Sequence, residues 1–291
     1  MSQDTYNHSK TMTLLIFLCF AIIGLMMATV IAVIIFAIAP VRTSAICSTI
    51  VQDVLLFMAP ALLVGWVVTR HPLRYTLLTT APRWKDVMIV LLAFTVSLPA
   101  MNYLVHLNEG ITLPESLHGF EQWLKQSEQA AKDVTDSLLA VKSLPEMLLM
   151  VLMVGVLTGI SEELFFRGGL LRPFISEESK PHLAIWIVAI VFSAVHMQFY
   201  GFVPRMLLGV WFGYLVYWSH SLWVPIIAHA LNNSAVVVCQ YLEDNKIISS
   251  NIAETIGIPA DGEFPWLAFA SFIATALVLY LACRTLHRSR S

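Results

Sequence analysis

Charge is scarce in this chain of 291 residues. Asp, Glu, Lys and Arg make up 12% of it against 58% hydrophobic residues, about half the charged share of an ordinary globular protein. That shortage excludes a soluble domain, and so much apolar surface excludes intrinsic disorder. The net charge is only −2, with no Lys/Arg cluster on a soluble face and no zinc-finger spacing, so nucleic-acid binding is excluded. Cysteine is sparse too. Cys19, Cys47, Cys239 and Cys283 lie in apolar runs without CxxC pairing, which excludes a disulfide scaffold and reads as small buried apolar side chains. What remains, with a mean hydropathy of +0.75, is a chain dissolved in lipid.

A membrane span needs about 20 apolar residues. On that measure the sequence predicts an all-α polytopic membrane protein of about eight transmembrane helices, near 13–39, 46–68, 86–105, 147–167, 183–200, 203–218, 222–241 and 264–283. The first run is too long for a signal-peptide core and is expected to remain as a span. The connection 69–85 carries Arg70, Arg74, Arg83 and Lys85 without an acid, and the tail carries Arg284, Arg288 and Arg290. Both are expected in the cytoplasm. The acidic connections 106–146 and 242–263 are expected outside, which leaves both termini cytoplasmic. Within the first of these, Trp123, Leu124, Ala131, Val134 and Leu138 recur at helical spacing over Phe120 to Leu139. This reads as a surface helix, either packing on the outer ends of the bundle or gating a substrate.

Ionisable groups inside a span cost several kcal/mol unless paired or hydrated, so each is a functional candidate. They concentrate in the second half of the chain, where the catalytic cavity is expected. Glu163 and Arg167 are four apart and share a helix face, which allows an ion pair; Glu162 points about 100° away and is left for proton chemistry. The next polar positions are His196 after Phe192, and His229 with Asn233 on one face of a later span. Asn232 faces elsewhere and is the weaker candidate. A helix rise of about 1.5 Å per residue allows Glu162, His196 and His229 to meet in a cavity open to the cytoplasm. Each has a bland counterpart: structural glue for the Glu–Arg pair, a helix contact for a histidine, an interhelical bond for the asparagines. Asp53 reads as a polar contact near the outer surface, and Arg205 as a side chain snorkelling to the outer interface.

The ordered set EExxxR (Glu162, Glu163, Arg167), FxxxH (Phe192, His196) and HxxxN (His229, Asn233) resembles the CPBP family, the CAAX proteases and bacteriocin-processing (Abi) enzymes, over roughly residues 145–242. The resemblance implies an eight-helix membrane fold and an intramembrane endopeptidase related to type II CAAX prenyl endopeptidases. It makes Glu162 the base that activates water, His196 the residue that orients it, His229 and Asn233 oxyanion donors, and Glu163–Arg167 a supporting ion pair. It divides the chain into 1–144, N-terminal helices with an outer amphipathic loop; 145–242, the catalytic core; and 243–291, an outer loop, last helix and basic tail. Glu162, His196 and His229 are also plausible Zn²⁺ ligands, but the HExxH spacing is lacking. Resemblance to the archaeal CAAX proteases favours a metal-free mechanism with no cofactor.

The expected substrate is a membrane-embedded or lipidated peptide or protein, with pheromones, bacteriocin precursors and membrane-protein tails all open. The expected location is a bacterial cytoplasmic membrane. The competing class is a non-catalytic transporter or immunity scaffold; inverted repeats are not evident and no motif residue is lost.

Overall fold

The computed structural model describes residues 9–175, 181–249, 255–260 and 262–286. Arg288 and Arg290, on which part of the tail's expected orientation rests, lie outside the described residues. Among the described residues there is no strand. The long helices are α1 (Lys10–Ile38), α2 (Val41–Thr69), α3 (Trp84–Glu109), α4 (His118–Leu139), α5 (Leu144–Leu170), α6 (His182–Ala194), α7 (Phe202–Ser219), α8 (Trp223–Asp244) and α9 (Trp266–Leu286).

The protein is an all-α polytopic membrane protein. Five helices, α1, α2, α3, α5 and α9, are long and apolar enough to cross a membrane. The other three expected spans are present as helices of a different character. α6 has 13 residues, α7 carries Arg205 in its first turn, and α8 carries His229, Asn232 and Asn233. Polar side chains that serve a site lower the hydropathy of the helices that hold them.

Backbone ties divide the loops between two ends of the bundle. At one end the basic connection 69–85 is stitched to its neighbours: Leu222 N–H donates to Leu77 O, Trp223 Nε1 to Leu78 O, and Arg172 Nε to Tyr75 O. Arg83 also donates to Thr285 O. At the other end the acidic segment meets the α6–α7 turn. Asn108 Nδ2 donates to Phe199 O at 3.0 Å, and Tyr200 N–H donates to Glu128 Oε2 of α4, also at 3.0 Å.

α4 is amphipathic as expected. Leu124 and Leu139 are buried beneath it, while Phe120 and Trp123 stack on each other on its exposed side. Lys125 on the outer face pairs with Glu121 at 2.9 Å, which holds its ammonium above its ordinary range.

Pro99 interrupts α3 and removes one backbone donor. Ser271 of α9 supports the neighbouring turn: its hydroxyl accepts from Ala100 N–H and donates to Val96 O.

The cysteines are unpaired, but Cys19 and Cys283 are exposed rather than buried. They sit on outward faces of α1 and α9, where an apolar side chain meets lipid as readily as protein.

Candidate active site

Two features of α5 place the polar residues. The first is its winding. π-helical stretches Val151–Leu157 and Leu164–Leu170 flank a single α-helical stretch, Thr158–Glu163, which ends on the two glutamates. Such wide turns interrupt α-helices frequently at functional sites. The second is a small-residue face. A Cβ on Gly159 would stand 3.1 Å from Ala230 N and 3.3 Å from its Cα, and one on Gly155 would strike Ser234 Oγ. Gly155xxxGly159 therefore lies directly on Ala230xxxSer234 of α8, the close approach that small residues permit in membranes. That contact brings Glu163 to His229.

Glu163 is completely buried and its Oε1 accepts twice, from Arg167 Nη1 at 2.6 Å and from His229 Nδ1 at 2.9 Å. The expected Glu–Arg pair is present, and it extends to a histidine the spacing had not linked to it. Arg167 donates through Nη2 to Gly209 O at 2.8 Å, and its guanidinium lies 4.9 Å from the Phe192 ring centroid and 5.3 Å from that of Phe212. The cation is thus enclosed by one carboxylate, one carbonyl and aromatic faces. A second pair of glycines brings α7 close against α6 beside it. A Cβ on Gly209 would sit 3.1 Å from Ala189 of α6, and one on Gly213 would sit 2.7 Å from Ile185.

His229 lies stacked on Phe212 with centroids 5.0 Å apart. Because Glu163 only accepts, Nδ1 carries a hydrogen, and Nε2 faces Glu162 Oε2 at 3.7 Å. His196 donates from Nδ1 to Phe192 O at 2.7 Å, its partner again an acceptor only. Its Nε2 is left as a hydrogen-bond acceptor.

Glu162, His196, His229 and Asn233 line one cavity of about 490 Å³, within the size range of ligand sites. Glu162 Oε2 is buried there without a hydrogen-bond partner among the described residues. Asn232, the weaker candidate, lines the cavity as well and donates to Asn233 Oδ1 at 3.3 Å. Glu163 and Arg167 stand behind this wall.

Three expectations need correction. Arg205 does not snorkel to the outer interface. It lines the cavity, donates to Gln198 Oε1 at 2.5 Å, and has a buried Nη1 without a partner among the described residues. Its guanidinium lies over Gly201, where a Cβ would be 3.3 Å from Nη2. The cavity offers the polar surroundings that snorkelling would otherwise have to reach.

Asp53 is not near a surface. Only 2% exposed, it accepts from Ser161 Oγ at 2.7 Å and Thr158 Oγ1 at 3.1 Å, on the stretch of α5 that carries Glu162. α2 begins at Val41, so residue 53 lies roughly 18 Å down the helix at about 1.5 Å per residue. The third correction concerns the cavity mouth. Of the cavity's lining, Val105, Glu109, Glu128, Gln198 and Tyr200 lie at the end of the bundle that carries the acidic segment. A cytoplasmic mouth and an external 106–146 are therefore mutually exclusive.

Among known families, residues 144–235 match the one described as type II CAAX prenyl endopeptidase Rce1-like. The segment belongs to the CAAX-protease family. The match covers α5 to most of α8 and includes all seven motif residues, six on helices and His196 in the turn after α6. No curated protein and no solved structure matches the chain. Asp53, on α2, lies outside the Rce1-like segment. Among the described residues no group of three His, Cys, Asp or Glu side chains is placed to hold a metal ion; His229 donates through Nδ1 to Glu163 and keeps Nε2 toward Glu162.

Sequence spacing had also passed over the two glycine pairs, Gly155/Gly159 and Gly209/Gly213. Their i,i+4 recurrence inside apolar helices was the available signal.

Proposed function

We propose that the protein is an intramembrane endopeptidase of the CAAX-protease type that hydrolyses a peptide bond with water activated by Glu162. What carries the reading is one cavity that gathers an unpartnered carboxyl, two imidazoles and two amides. Water held between Glu162 and His196 Nε2 attacks the carbonyl carbon and gives a proton to Glu162 as it does so. The oxyanion takes hydrogen bonds from the Asn233 amide and, when the ring is doubly protonated, from His229 Nε2. Glu162 then returns the proton to the leaving amine as the C–N bond breaks. Glu163, with Arg167 behind it, holds the His229 ring in place. Each preplaced oxyanion donor is worth roughly 3–4 kcal/mol of barrier lowering.

The substrate is a membrane-embedded or lipidated peptide or protein. The protein sits in a bacterial cytoplasmic membrane, with both termini and the loop 69–85 in the cytoplasm.

The test is Glu162→Gln, which keeps shape and removes the base. Peptides that accumulate in a deletion strain should be cleaved again on complementation with the parent and stay uncleaved with the variant at matched expression. Equal cleavage by both would remove Glu162 from the chemistry, and no cleavage on complementation with the parent would return the chain to a non-catalytic membrane role.

A further inference from the structure

We propose that the cavity takes its substrate from the extracytoplasmic side, and that the substrate is an exported, membrane-bound peptide rather than the tail of a cytoplasmic protein. The inference rests on the protease reading for what happens to the peptide, but its geometry stands apart from it.

Two independent observations carry it. The first is which end holds the fixed positive charge. Arg70, Arg74, Arg83 and Lys85 crowd one connection of 17 residues, 69–85, with no acid among them. At the membrane boundary of the same end Arg70 lies over Trp66 at 4.4 Å and Arg284 over Tyr280 at 5.3 Å. Short, basic, aromatic-flanked connections stay in the cytoplasm. The opposite end carries the long acidic segment.

The second is which end is open. The cavity's lining runs from Glu162 and His229 to Glu109, Glu128 and Tyr200 at the acidic end, and none of it comes from 69–85 or from the turn 219–223. The basic end is closed beneath it. Thr76, Ser221 and Leu222 are fully buried there. Ser221 Oγ donates to Thr80 O at 2.5 Å, Leu222 N–H to Leu77 O at 3.2 Å, and a Cβ on Gly168 would meet Thr76 at 3.3 Å. A peptide arriving from that side would have to break several backbone ties and displace a packed floor. One arriving from the other side meets open, polar walls.

Polar peptides do not cross hydrocarbon unaided, so the side of the mouth decides which pool of substrates the site can reach. The charged groups on the walls are Glu109, Glu128, Glu162 and Arg205. With three carboxyl groups to one guanidinium, the mouth favours a peptide carrying Lys or Arg beside the bond to be cut.

The experiment uses the full-length chain with Cys19, Cys47, Cys239 and Cys283 replaced by Ala, and single cysteines introduced as Lys125→Cys on α4, Gln198→Cys in the cavity wall or Lys85→Cys at the basic end. Intact cells are treated with a membrane-impermeant maleimide and compared with permeabilised cells. Residues 125 and 198 should label in intact cells, and residue 85 only after permeabilisation. Labelling of residue 85 in intact cells, or of residue 125 only after permeabilisation, overturns the orientation. Residue 125 labelling from outside while residue 198 stays unlabelled in intact cells overturns the open mouth. Because labelling needs no turnover, the expected pattern together with uncleaved substrate would refute the protease reading alone.

Discussion

The two adjacent glutamates offer a sharp separation of stability from chemistry. Glu163 Oε1 is shared by Arg167 at 2.6 Å and His229 at 2.9 Å, and the side chains of Glu163 and Arg167 have no solvent exposure. Glu163→Gln keeps a carbonyl oxygen at that point but removes the charge that offsets the guanidinium. Breaking a buried ion pair by removing one partner costs about 3–5 kcal/mol. The remaining bond from Arg167 to Gly209 O and the rings of Phe192 and Phe212 offset only part of this. Since about 1.4 kcal/mol is tenfold in an equilibrium constant, the folded-to-unfolded ratio should fall by roughly two to three powers of ten. Glu162→Gln removes no such pair. Glu162 Oε2 has no hydrogen-bond partner among the described residues, and His229 Nε2 lies 3.7 Å from it. Its loss should change stability by less than about 1 kcal/mol while abolishing cleavage. Thermal unfolding of both variants in one detergent, beside their accumulation in membranes, reads the difference. If Glu162→Gln unfolds as early as Glu163→Gln, or if Glu163→Gln unfolds with the parent, the division of roles between them is wrong.

Three further outcomes are expected. Purified protein should carry far less than one zinc per chain and keep its activity under a membrane-permeant chelator; stoichiometric zinc whose removal and return switch activity off and on would overturn the metal-free mechanism. Gly159→Val should separate α5 from α8, because the atom it meets at 3.1 Å is a backbone nitrogen that cannot yield; overpacking of about 1–3 kcal/mol and a large loss of cleavage are expected, and parental melting would argue against the close helix contact. Asp53→Ala should slow turnover with little change in KM, since it removes the acceptor for Ser161 and Thr158 behind Glu162 without touching the cavity wall; Asp53→Asn, which retains an acceptor, should recover part of the rate, and no difference between the two would refute the positioning role.

What the sequence makes legible here follows from how local the physics is. Glu163 and Arg167 can be paired from spacing alone because four residues fix their relative direction on one helix, and the structure pairs them. The link from Glu163 to His229 depends on two helices approaching at Gly159 and Ala230, a contact that spacing within either helix cannot locate. Asp53 was misplaced for the same reason. Its partners, Ser161 and Thr158, are more than a hundred residues away, and its depth depends on where α2 begins. Arg205 was judged by its place near a helix end, and only the assembled cavity makes that end an interior. The π-helical stretches left no pattern to read, because a wide turn is a difference of one hydrogen-bond register that apolar side chains do not report.

α6 has 13 residues, a rise of only about 20 Å beside a hydrocarbon layer of about 30 Å. Its outward face is apolar, with Leu183, Ile187, Ile190 and Val191 all exposed, so this flank meets lipid across a hydrophobic height the bilayer exceeds. Mismatch of that sign is relieved by thinning the membrane locally. Thinning there would draw headgroups inward beside the α6–α7 turn, where His196 and Gln198 line the cavity. A peptide carried on an acyl chain at that flank would ride at the depth of the reacting groups. The short helix thus sets how far such a substrate must leave its own leaflet, and lengthening α6 by one turn should slow the cleavage of lipid-anchored substrates more than of membrane-embedded ones without an acyl chain.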